Sequence, residues 1–219
     1  MSAFQHYQHR KISHDEMIQA SRSFYHQMDQ RRTIREFSHN EVPFEVMQRI
    51  IQTASTAPSG AHKQPWTFCL VGDVKIKKQI REAAEEEERI NYLSRMSDQW
   101  KQDLEPLGTE PYKPFLTIAP WLVVIFKRPF DWTEDGHKKP NYYVNESVGL
   151  ACGFLLVAIH NAGLAAVTHT PSPMNFLQDI LNRAENEKPF LLIPVGYPAD
   201  DAHVPVLKRK PFEDVCDVY

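Results

Sequence analysis

Residues 142–162 constrain the fold of this chain more than any other stretch. Read as a helix, they are nearly apolar all round at their centre. A helix without a polar face has to be enclosed, by a core or by a subunit interface. Gly149 and Gly153 would let a neighbour approach it closely. The greasiest part, residues 148–159, is broken by both glycines and is too short to span a bilayer.

The enclosing elements can be read around it. Residues 121–126, Trp-Leu-Val-Val-Ile-Phe, are continuously apolar, as in a strand covered on both faces. Residues 66–71 read as a second strand stopped by Gly72, and residues 164–168 and 190–195 as two more. Helical spacing of Met17, Ile18, Phe24 and Met28 predicts a helix over residues 14–28. Pro43 opens another, with Val46, Ile50, Ile51 and Ala54 on one face, which stops at Ala57-Pro58-Ser59-Gly60. Asp73 caps a heavily charged helix expected to run to about Leu104. Its apolar stripe is thin and residues 85–88, all glutamate, interrupt it, so it is expected to be partly mobile. Residues 131–139 read as a polar loop. The fold class is α+β, a mixed sheet flanked by helices, with residues 1–13 flexible and 14–219 a single domain.

A net charge of −3 argues against a dedicated nucleic-acid binder, which would be clearly basic. Cys69, Cys152 and Cys216 are odd in number and far apart, which suits a reducing compartment better than a disulfide framework or a zinc site. The first residues lack the apolar segment of a secretory signal. The expectation is a cytoplasmic protein with no membrane partner and no metal site.

Against this mildly acidic whole, Arg31, Arg32 and Arg35 fall within five residues, and Lys208-Arg209-Lys210 lie almost the full chain away. If the fold brings the two clusters together they suit one phosphate, whose oxygens guanidinium groups bind in pairs. If it does not, they are two solvated surface patches.

Arg31-Arg32-Thr33-Ile34-Arg35, then Ala57-Pro58-Ser59-Gly60-Ala61-His62 with Gln64-Pro65-Trp66, then Thr168-His169-Thr170-Pro171, then Leu207-Lys208-Arg209-Lys210-Pro211 resemble the flavin nitroreductase superfamily in order and spread. Glu85-Glu86-Glu87-Glu88-Arg89-Ile90-Asn91-Tyr92, with Lys113 after it, is similar to the lid of the iodotyrosine deiodinase branch, here at about residues 85–114. The resemblance implies a nitroreductase-like fold with FMN at the interface of an intertwined homodimer. Arg31, Arg32 and Arg209 would neutralise the FMN phosphate, and Thr33, Ser59, Gly60, Thr168 and His169 would be further cofactor contacts. Two residues would be catalytic: Arg35 at the N1 and C2 carbonyl edge of the flavin, and Thr170 with its hydroxyl near N5, where it opens one-electron steps. His169 carries no catalytic role.

On the substrate side the resemblance implies the Ala61 N–H for a phenolate oxygen, Glu88 for an ammonium, and Lys113 with Tyr92 for a carboxylate. Glu88 and Tyr92 are four apart, so a helix puts them on one face. Glu85, Glu86 and Glu87 read as a solvated helix face. The implied activity is FMN-dependent reductive dehalogenation of 3-iodo-L-tyrosine and related halotyrosines to tyrosine plus halide, with NADPH or a reductase as electron donor. A general NAD(P)H-dependent nitroreductase or quinone reductase is the alternative, and it has no use for Glu88, Tyr92 and Lys113 together. A flavin-carrying binding module is a third reading. No G-x-G-x-x-G offers a dinucleotide fold.

Overall fold

Ser13 starts the first helix, α1 (His14–Asp29): its hydroxyl accepts from the Glu16 N–H while the Glu16 side chain reaches back to the Ser13 N–H. The computed structural model describes residues 4–219, in two compact units, the first ending at Arg31 and the second spanning Arg32–Tyr219. No residue of α1 is buried, and Met17, Ile18, Phe24 and Tyr25 are exposed.

The larger unit begins with α2 (Phe44–Ala54), β1 (Trp66–Val71), α3 (Val74–Ile90) and α4 (Asp98–Leu104). There follow α5 (Phe115–Ile118), β2 (Trp121–Lys127), and a short pair β3 (Phe130–Trp132) and β4 (Lys138–Pro140). The chain then forms α6 (Val144–Asn161), β5 (Ala165–Ala166), α7 (Phe176–Ile180) and β6 (Lys188–Gly196). The main sheet has the order β1-β2-β6-β5, with every neighbouring pair antiparallel. Among the described residues the one parallel pairing is an isolated bridge between Thr33 and Ala166.

The continuous apolar run of β2 is explained by what lies on either side. Val123 and Ile125 join the core formed with Met47 and Ile50 of α2 and Ala151 and Leu155 of α6. Leu122, Val124 and Phe126 face the other way, into a core with Ile80 and Ala84 of α3, Leu116 of α5 and Leu177 of α7. Alternate side chains therefore serve two layers of helices, and the sheet is the middle layer. Among the described residues only α6 is long and apolar enough to cross a membrane, and its Val148, Ala151, Leu155 and Ile159 belong to the packed core.

Three expectations change. The long charged helix breaks: α3 ends at Ile90, Asn91–Arg95 form a π turn, and Ser97 caps α4 by accepting from the Trp100 N–H. Residues 131–139 form the β3–β4 hairpin, and Asp135-Gly136, with Gly136 at φ +79°, is its turn. Pro43 is the N-cap of α2 rather than its first helical residue. The cysteines are all free, and burial pushes the Cys152 thiol up to about 12, as suits an inert core thiol.

Candidate active site

Residues 33–38 are laced between β5 and the chain that leaves β6. The Ile34 N–H donates to Ala166 at 3.1 Å, the Ser38 N–H to Tyr197 at 3.0 Å, and the Ala199 N–H to Glu36 at 2.9 Å. The Arg32 guanidinium donates to the Pro205 carbonyl. Distant parts of the chain thus meet, and Arg209 follows Pro205 by four residues on an exposed tail. Arg31 closes the smaller unit.

Arg35 is half-buried, and burial lowers its pKa against the opposing influence of nearby Tyr92. No carboxylate pairs with it among the described residues; its neighbour Glu36 meets His203 instead. A half-buried guanidinium left without an anion is a site for one.

The face of α3 that turns inward carries Lys77, Ile80, Ala84 and Glu88. Glu88 and Lys113 are only 8% and 6% exposed, and the Lys113 ammonium lies 3.5 Å from the Glu88 carboxylate. Burial raises the Glu88 pKa and lowers that of Lys113, so desolvation outweighs their mutual attraction, and Arg35 pushes Lys113 down further. The Tyr92 hydroxyl, on the π turn one step beyond α3, lies 2.9 Å from both the carbonyl and the hydroxyl of Thr109. The same turn is tied to the segment after Thr170, since the buried Asn91 amide donates to the Ser172 carbonyl at 2.9 Å. An i→i+5 turn of this kind re-aims side chains where a regular helix would not.

Thr168, His169 and Thr170 alternate. The two threonines are exposed, while His169 is buried and turned toward Phe115, with the rings edge-on at 5.6 Å. The His169 side chain therefore does not share a face with the two hydroxyls. Burial first, then Lys113 and Arg35, hold its pKa down to about 3, so the ring is neutral at any working pH. Its Nε2 is buried without a protein hydrogen-bond partner.

In the turn before β1, the Gly60 N–H donates to the Ser147 hydroxyl at 3.2 Å and the Gln64 N–H to the Ser59 hydroxyl at 2.9 Å. His62 and Lys63 donate back to Ser59 and Gly60, and Ala61 sits at φ 49°. Among the described residues the Ala61 N–H is taken up by none of these bonds. The close approach that requires glycine at position 60 comes from the chain itself: a Cβ there would lie 2.8 Å from the Tyr142 carbonyl.

Arg35, Glu88, Tyr92, Lys113 and His169 thus lie close enough to act on one another's charge. Reading the sequence missed two supports of this group, Thr109 and Glu85. Glu85 is only partly exposed: its carboxylate takes the Arg81 guanidinium at 2.7 Å and the Lys113 N–H at 2.8 Å. Its signal was available, because Glu85 and Glu88 are three apart and share a helix face. Thr109 has no sequence signal.

The nitroreductase family profile matches residues 28–197. An iodotyrosine deiodinase of Haliscomenobacter hydrossis is 58% identical over 217 residues, covering 99% of this chain and 98% of that one. Iodotyrosine deiodinase 1 of Homo sapiens is 45% identical over 210 residues, covering 95% and 73% respectively. The chain belongs to the nitroreductase family, in its iodotyrosine deiodinase branch. The crystal structure of an oxidised iodotyrosine deiodinase bound to FMN and 3-iodo-L-tyrosine superposes with a TM-score of 0.77 at 31% identity, over 86% of this chain and 96% of the other. A Bacteroides fragilis nitroreductase with bound FMN, at 20% identity and a TM-score of 0.66, shares the fold.

The donors of this family member fit a flat, acceptor-rich group that ends in a phosphate. Among the described residues Arg35 has no anion and the Ala61 N–H joins no backbone hydrogen bond, the Thr168 and Thr170 residues are exposed, and Arg32 reaches the tail that carries Arg209.

Proposed function

We propose that this chain performs FMN-dependent reductive dehalogenation of 3-iodo-L-tyrosine and related halotyrosines. The observation that carries this reading is the buried Glu88–Lys113 pair beside Tyr92 and Arg35. A carboxylate and an ammonium enclosed together complement an amino-acid zwitterion, and a general nitroreductase has no need of them. The likeness to iodotyrosine deiodinases over nearly the whole chain supports the same conclusion.

Arg32 with Arg209 would neutralise the cofactor phosphate, and Thr33, Ser59, Gly60 and Thr168 would complete the cradle. When bound, FMN supplies the electrons, one or two at a time. Arg35 would hold negative charge at the flavin edge, Thr170 would place a hydroxyl beside the reacting nitrogen, and the Ala61 N–H would fix the substrate's phenolate oxygen. Glu88 would take the substrate ammonium, and Lys113 with Tyr92 its carboxylate. Closure of residues 85–114 then excludes water. In the overall change the carbon–halogen bond breaks, two electrons and a proton are consumed, and halide leaves. Its electrons would come from NADPH, directly or through a reductase.

The proposal includes a homodimer in the cytoplasm. Leu150, 49% exposed, and Phe154 lie on a face of α6 where a Cβ added at Gly149 or Gly153 would meet nothing within 4 Å, and a second copy would cover it.

The purified protein should be yellow, and its flavin fluorescence should be quenched by 3-iodotyrosine far more than by tyrosine. Anaerobic reduction with dithionite followed by 3-iodotyrosine should release iodide. Equal quenching by both ligands, or binding without iodide, would defeat the proposal.

Affinity should also depend on pH. Only ionised Glu88 holds the substrate ammonium, so affinity falls as pH drops through the Glu88 pKa. Burial places that pKa above the ordinary 4.5, and the substrate carboxyl titrates lower, so the acid limb should begin above the usual carboxylate range. Titrations of flavin fluorescence across pH should show this limb in the wild type and its absence in Glu88→Gln.

A further inference from the structure

One face of α3 is stitched to residues 112–119 by a row of polar contacts. The Lys77 ammonium donates to the Ala119 carbonyl at 2.8 Å and to that of Thr117 at 3.2 Å. Arg81 donates to the Thr117 hydroxyl at 2.8 Å and lies over the Tyr112 ring at 4.6 Å. Glu85 accepts from Arg81 and from the Lys113 N–H, and Glu88 meets the Lys113 ammonium. Lys113 is therefore held at both ends by carboxylates three residues apart on one helix. Glu88 takes its charge, and Glu85 takes its main chain.

The two contacts do different things. A lysine side chain has four rotatable bonds, so neither its ion pair nor the bond from its ammonium to the Glu110 carbonyl ties its backbone to α3, and the Lys113 carbonyl bonds only forward, to the Leu116 N–H. The Glu85 bond removes that freedom by fixing the Lys113 Cα relative to α3, and Arg81 fixes Glu85 in turn. We infer that Glu85 is a positioning residue of the amino-acid subsite, holding the Lys113 main chain so that its ammonium and the Glu88 carboxylate keep the separation a zwitterion requires. This rests on the function proposed above.

The test compares two ligands in the flavin-loaded protein: 3-iodotyrosine, and 2-iodophenol, which keeps the halophenol and lacks the zwitterion. Glu85→Ala should weaken 3-iodotyrosine binding by about tenfold, the lower end of what one charge-assisted hydrogen bond contributes because Glu85 acts through Lys113, and leave 2-iodophenol within about twofold. Glu85→Gln keeps an oxygen that can accept from the Lys113 N–H and should recover most of the loss. Arg81→Gln, which frees Glu85 from its guanidinium, should give a smaller loss selective for the same ligand, and serves if Glu85→Ala does not fold. A parallel loss for both ligands, or undiminished preference for 3-iodotyrosine in Glu85→Ala and Arg81→Gln, overturns the role of Glu85 alone. A wild type that binds the two ligands equally overturns the proposed function, and this inference with it.

Discussion

Glu88→Leu should cost the folded protein about 3–5 kcal/mol, because it leaves the Lys113 ammonium enclosed with the Glu110 carbonyl but without a carboxylate. Adding Lys113→Met should return the stability to the wild-type value or raise it, by up to about 4 kcal/mol. The pKa directions set the sign. Glu88 is raised, so its ionisation costs stability as pH rises through the window above 4.5. Lys113 is lowered, so its protonation costs stability as pH falls through the window below 10.5. Between those windows both groups are charged, and both are more costly to hold than in the unfolded chain. Apolar replacements remove that cost. Yet the double variant should bind 3-iodotyrosine no better than 2-iodophenol while retaining FMN. Urea denaturation and ligand titration of the three variants check this. A double variant as unstable as Glu88→Leu would show that the pair is there for the fold.

That trade explains which parts of the structure the sequence disclosed. The layered core was legible, because burial leaves a pattern: β2 is continuously apolar, and its alternate residues do serve two cores. The break after Ile90 was not, because the apolar positions continue to Trp100 and only the Ser97-Asp98 cap signal marks the restart. The β3–β4 hairpin was hidden by its charged residues, although Asp135-Gly136 is a strong turn signal. In the site, Glu88, Tyr92 and Lys113 were found by likeness to a family. By residue type alone Glu88 is one of four successive glutamates, and nothing in that run distinguishes the buried one from the exposed Glu86. His169 illustrates the limit differently: strand alternation turns it away from its threonine neighbours, and neither side chain chemistry nor motif predicts that.

Arg35→Gln should lower the two-electron reduction potential of the bound flavin by about 30–60 mV. A charge-assisted hydrogen bond contributes about 1.5–3 kcal/mol, and about 1.4 kcal/mol corresponds to 30 mV for a two-electron couple. The effect should be large because burial has already stripped solvent from the guanidinium, and no carboxylate among the described residues shares its charge. An anion formed at the flavin edge would therefore be its first full partner. Iodide release should slow by about a hundredfold, as when a preorganised donor is removed from a developing anion. Arg35→Lys should recover little, since a point charge lacks the planar fork. His169 gives an independent readout. Arg35 helps to hold its pKa at about 3, so in Arg35→Gln the ring should titrate higher, yet below its ordinary 6.5 because burial is the larger cause. Potentials measured against redox dyes, together with the imidazole titration by NMR, separate the outcomes. An unmoved potential with a shifted His169 would place Arg35 in the cluster with Lys113 and away from the flavin.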